Sequence, residues 1–172
     1  MASKTTLLGA AGEHYVMSQL LRRDMIAALA PAGVPHADIL VSDDIGDRLC
    51  AIQVKSRRDI GSDGGWHMSK KHESISLPSF FYCFLDFGKS VAQQPKTWIL
   101  PSKVVADVLT LSHKNWLAMP GKKGQPHKDV DMRRFLPDHT RLHNMDKKYA
   151  LGWLDKYYDA WDLLVPKNKQ TP

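Results

Sequence analysis

The sequence predicts an α/β domain in which a sheet packs against helices and a helical segment follows at the C-terminal end. Three observations carry that reading. Residues 38–55 hold two alternating, β-branched-rich runs around a short polar break, and residues 80–87 form a near-continuous apolar run of strand length. Residues 5–24 and 103–117 repeat apolar side chains at helical spacing. With 172 residues and 43% apolar content, the chain can bury one sizeable core.

The first helix is expected over residues 5–24, capped by Thr5 or Thr6, with Leu7, Ala10, Met17, Leu20 and Leu21 on its packed side. Glu13 falls inside that apolar stripe. A carboxylate there needs a cation, a hydrogen-bond network or a cleft open to water, so it is either a functional group or half of a structural salt bridge. Gly9 and Gly12 flank it and would let the helix approach a sheet closely. Residues 25–30 read as the first strand, ended by Pro31-Ala32-Gly33.

Asp38-Ile39-Leu40-Val41 and Cys50-Ala51-Ile52-Gln53-Val54-Lys55 then form a hairpin. With Ile45-Gly46 as a two-residue loop, Asp38 lies opposite Gln53 and Lys55 is its diagonal neighbour. Alternation puts Asp38, Gln53 and Lys55 on one face and Ile39, Val41, Ile52 and Val54 on the other. An acid, an amide and an ammonium on one face are either ordinary solvated residues or a site for a hard divalent cation, which takes carboxylate and amide oxygens with water and phosphate.

The order helix, strand, hairpin, with Glu13, Asp38, Gln53 and Lys55 in sequence, resembles the PD-(D/E)XK nuclease superfamily, in particular its Mrr-like and Holliday-junction-resolvase-like branches. The likeness spans roughly residues 5–102. It implies a restriction-endonuclease-like core, a mixed central sheet flanked by helices. By that resemblance Asp38 matches the metal-binding aspartate, Gln53 stands in the place of the second acid, Lys55 is the motif's lysine and Glu13 matches the helical glutamate of many members. The implied catalytic set is therefore Glu13, Asp38, Gln53 and Lys55, with Mg²⁺ or Mn²⁺ held by Glu13, Asp38 and Gln53. Two departures are visible: Ala37 replaces the proline before Asp38, and Gln53 offers a neutral oxygen where a carboxylate is usual.

Beyond Lys55, a basic and aromatic stretch follows a Gly-rich loop at residues 59–65. Arg57, Arg58, Lys70 and Lys71 are candidate phosphate contacts and Trp66 a candidate base-stacking surface, against the plainer reading of a solvated loop anchored by one tryptophan. Residues 80–87 read as a buried central strand and 97–100 as the next strand, and Ser102 is expected to cap a helix over 103–117 that packs Val104, Val105, Val108 and Leu111. The basic loop 121–128 marks a boundary between a core of residues 1–118 and an extension of residues 119–172 packed on it. His139 and His143 have a zinc-compatible spacing without a third ligand, which favours surface or capping histidines. A helix over 145–165 would line up Tyr149, Trp153, Tyr157 and Trp161 against the core or a second subunit, and residues 166–172 read as a frayed polar tail.

A formal charge of +6 points to an anionic partner, nucleic acid rather than membrane, with DNA ahead of RNA. Cys50 and Cys83 sit in apolar strand-like runs and read as reduced, buried thiols, which places the protein in the cytoplasm. No transmembrane run or secretory signal is present. The expected function is Mg²⁺-dependent endonucleolytic hydrolysis of DNA; the alternative is a nuclease-fold protein that binds nucleic acid or a protein partner without turnover.

Overall fold

The computed structural model describes residues 2–59, 64–142, 145 and 147–165. Five strands form a mixed sheet in the order β1 (Ile26–Leu29), β2 (Ile39–Ser42), β3 (Arg48–Arg57), β5 (Phe80–Asp86), β6 (Lys96–Pro101). All neighbours are antiparallel except β3 and β5, which run parallel. Helix α1 (Lys4–Leu21) covers one face and α2 (Ser102–Leu117) the other. Between them lies β4 (Trp66–Ser69), which pairs with β7 (Met132–Phe135) as a separate antiparallel ribbon on the α2 side.

The hairpin keeps the expected register where it matters. Ile39 pairs with Ile52, Leu40 with Ala51 and Val41 with Cys50. Its turn differs. A bulge after Val41 pairs Ser42 with Arg48, and the connection is a five-residue loop over 43–47, closed by Gly46 N–H donating to Asp43 O at 3.1 Å and Asp47 N–H to Asp43 Oδ1 at 2.8 Å. The bulge absorbs the extra residue, so the faces upstream are unchanged.

Ile39, Val41, Ile52 and Val54 pack under α1 with Val16 and Leu20. On the opposite face Ala51, Tyr82 and Phe84 pack with Trp66, Phe135 and the Val105, Val108 and Leu109 side of α2. Burial on both faces is why β5 reads as an uninterrupted apolar run.

Three expectations need correction. Ser3, not a threonine, caps α1, its hydroxyl accepting from Thr6 N–H at 3.0 Å; the buried face is Gly12, Val16 and Leu20, and Leu7 and Leu21 stand exposed. Ser102 begins α2 but does not cap it: its hydroxyl is occupied by Leu77, accepting from N–H and donating to C=O at 2.9 Å each. Finally, 145–165 is not one α-helix. It contains short 3-10 turns at Lys147–Tyr149, Asp155–Tyr157 and Trp161–Leu164, interrupted by positive φ at Gly152 and Asp159. Tyr149 and Trp153 still reach the α2-side core, while Trp161 reaches the α1-side core. The tail at 166–172 and His143 lie outside the described residues. Cys50 and Cys83 are free and buried. Among the described residues no helix is long and apolar enough to cross a membrane.

Candidate active site

Strand β2 runs out at Ile39 while β3 continues to Arg57, so the last residues of β3 keep β5 on one edge and have no strand on the other. Asp38 closes the first step of that open edge. Its N–H donates to Ile52 O at 2.9 Å, and its Oδ2 accepts from Val54 N–H at 2.7 Å. A backbone donor thus fixes the carboxylate beside Gln53 and Lys55.

Gly12 brings the second carboxylate. A Cβ at this position would lie 1.8 Å from Ser56 Oγ, so α1 approaches β3 at a distance that only glycine permits, and Glu13 follows directly. Gly9, by contrast, has open space around it. Burial raises the Glu13 carboxyl above its usual 4.5 and the charge of Asp38 raises it further, so the two acids lie within mutual repulsion. Lys55 is depressed below its usual 10.5 by burial; Asp38 holds it up, and the neighbouring Lys71 pushes it down.

Gln53 decides between a solvated face and a site. It is 9% exposed, and its Oε1 is enclosed without a hydrogen-bond partner. A buried acceptor left open is costly unless something else meets it. Two carboxylates in repulsion, one with its Oδ2 engaged by the backbone, and an open amide oxygen fit a hard oxygen-seeking ion. Among the described residues no three His, Cys, Asp or Glu side chains gather into a metal-binding group, so the donor set is this mixed one and does not suit zinc.

The expected nucleic-acid contacts do not form one surface. Trp66 is 2% exposed, with its indole N–H donating to Leu85 O at 3.1 Å, so it has no face to offer a base. Arg57 lies 4.1 Å above that ring and donates through Nε and Nη2 to Asp86 Oδ2 at 3.0 and 2.7 Å. Lys70 pairs with Asp129 at 2.8 Å, and Arg58 donates to Lys89 O at 3.0 Å; Lys71 is exposed beside Lys55. His139 is fully buried, its Nε2 accepting from Leu136 N–H at 3.2 Å, so it caps an internal turn rather than the surface. It lines a cavity of about 270 Å³ with Trp116 and Arg134 that shares no residue with the site.

Sequence reasoning missed His36, His72 and Tyr82. His36 adopts φ +66 just before Asp38, with Nδ1 enclosed and without a partner. His72 lies within electrostatic reach of Lys55 and bonds to Tyr82, the β5 residue paired with Gln53. Only the β3–β5 pairing reveals that neighbourhood.

No protein-family model and no curated protein matches the chain. A solved structure does. The bacterial homing endonuclease I-Ssp6803I superposes with a TM-score of 0.51 at 13% identity, over 95% of this chain and 92% of that one. The chain has an endonuclease-like fold.

Proposed function

We propose that the protein is a metal-dependent nuclease that hydrolyses DNA phosphodiester bonds, of the PD-(D/E)XK type that Glu13, Asp38, Gln53 and Lys55 resemble. The carrying observation is the enclosed Gln53 Oε1, left without a partner on the strand that also presents Lys55 and anchors Asp38. Glu13, Asp38 and the Gln53 oxygen would hold Mg²⁺ or Mn²⁺, which supplies Lewis acidity toward water and phosphate when bound. Asp38 is kept in place by Val54 N–H. The raised proton affinity of Glu13 makes it the carboxylate best suited to accept a proton from an attacking water. Lys55 donates to a non-bridging phosphate oxygen and offsets the negative charge that grows as the water oxygen bonds to phosphorus and the leaving oxygen departs. The endonuclease named by the structural likeness supports a DNA substrate for this chain.

Purified protein should nick or cut plasmid, linear, single-stranded or branched DNA with Mg²⁺ or Mn²⁺, and chelator should stop it. Asp38→Ala and Lys55→Ala should abolish cutting while circular dichroism stays unchanged. Survival of all four DNA forms with either metal overturns the reading in favour of a binding module without turnover, for which the neutral Gln53 is the supporting observation.

A further inference from the structure

His72 lies beside the candidate site, and the hydrolysis scheme leaves it without a role. It is 2% exposed, with Nδ1 2.8 Å from the Tyr82 hydroxyl. Tyr82 is fully buried, and its phenolic proton needs an acceptor; among the described residues that acceptor is Nδ1. Tyr82 therefore donates, and the proton of the neutral imidazole sits on Nε2. The ring remains neutral, because burial first and then Lys55, Lys71 and His36 lower its pKa to about 4, opposed only by Asp131. Nε2 is not among the enclosed polar atoms that lack a partner, so this N–H is the donor the ring keeps toward solvent. Tyr82 cannot swing away: it stacks on Phe84 at 6.0 Å, meets Phe80 edge-on at 5.5 Å and sits in the ladder opposite Gln53.

Lys55, Lys71 and the His72 N–H thus converge as donors, and the two ammonium groups repel each other. We propose that these three side chains form an anion subsite that takes one phosphate of a nucleic-acid backbone, with His72 as a neutral donor oriented by Tyr82. The identity of the phosphate's carrier rests on the nuclease reading; the subsite does not. Its occupant needs several acceptor oxygens and negative charge, which a phosphate group offers and a neutral ligand does not. Arg57 and Lys70, already paired with Asp86 and Asp129, are not part of it.

The test uses the full chain in EDTA with inorganic phosphate as the probe, and reads the histidine rings by long-range ¹H–¹⁵N NMR. His72 should be the Nε2–H tautomer at pH 6, and phosphate should shift its Nε2 resonance. His72→Phe should weaken phosphate binding about tenfold, His72→Gln should recover part of the loss through its amide donor, and Tyr82→Phe should turn the single tautomer into a mixture. Lys71→Ala, at an exposed position, should also weaken phosphate and covers the case in which His72→Phe fails to fold. An Nδ1–H tautomer, or phosphate affinity unchanged in both His72→Gln and Lys71→Ala, overturns the proposal. Phosphate binding in a protein that cuts no DNA leaves the subsite standing and removes the nuclease; DNA cutting with no phosphate effect on His72 removes the subsite alone.

Discussion

Two residues apart on the same strand, Lys55 and Arg57 have opposite surroundings. Arg57 is closed on every side: Asp86 takes two of its donors, the Trp66 ring lies against its plane, and the Trp66 indole N–H is itself bonded to Leu85 O. Around Lys55 the polar groups remain open. Glu13 and Asp38 repel, Gln53 Oε1 has no partner, and Lys71 opposes the lysine's own charge. A basic residue after a strand is therefore weak information by itself; whether its neighbours leave it satisfied separates structure from chemistry. Folding closes the Arg57 cluster, whereas the Lys55 cluster is complete only with something bound.

The largest effect should come from breaking the closed cluster. Trp66→Ala removes a buried ring that meets Phe84, Trp98 and Phe135 at 5.1–6.3 Å and should cost about 3–5 kcal/mol in urea unfolding. Asp86→Ala leaves Arg57 largely buried and unpaired and should cost about 3 kcal/mol. If either variant keeps full stability and loses only DNA binding, the contrast fails, and Arg57 and Trp66 return to the nucleic-acid surface.

Removing charges from the open cluster should do the reverse and stabilise the fold, by a smaller amount. For Glu13 the folded pKa is raised, so its contribution to stability is present below the ordinary 4.5 and is lost as pH rises through the folded value; Glu13→Gln should raise Tm at neutral pH and lose that advantage in acid. For Lys55 the folded pKa is lowered, so the penalty of its buried charge persists below that value and is relieved as pH climbs toward 10.5; Lys55→Met should raise Tm at neutral pH and converge on the wild type in alkali. Thermal melts across pH check both signs. A fall in neutral-pH Tm for both variants would show that these charges are structural partners after all.

The same contrast explains what could be read before the structure. The pairing that puts Asp38 at Gln53 depends on alternation and a local turn, so it survived even a wrong loop, because the bulge after Val41 absorbed the error. The aromatic spacing from Tyr149 to Trp161 identified buried side chains, but period four satisfies a series of 3-10 turns as well as an α-helix, and Gly152 and Asp159 break the helix by their backbone conformation. Trp66 misled because its interleaving with cations is local, whereas its burial depends on β7 some 65 residues later, where Phe135 is its ladder partner. His72 and Tyr82 belong to the site through the parallel β3–β5 pairing, which leaves no mark on the spacing of either segment.

The smallest and sharpest effect concerns Gln53, the one open group that carries no charge. If Asp38 and Glu13 already provide the charge for Mg²⁺, Gln53→Glu adds a third carboxylate and should tighten the ion roughly tenfold. Cleavage need not follow. The new carboxylate can pair with Lys55, which lies two residues along the same face, and it repels the incoming phosphate, so turnover should fall while metal affinity rises. Gln53→Ala deletes the enclosed oxygen and should raise the Mg²⁺ concentration needed for cutting without disturbing Asp38, whose anchor is the Val54 backbone. Calorimetric titration of Mg²⁺ into both variants, alongside the cutting assay, reads the two effects separately. Were neither substitution to change metal binding, the enclosed oxygen would not be a ligand, and Gln53 would belong with Arg57 as a residue the fold had already closed.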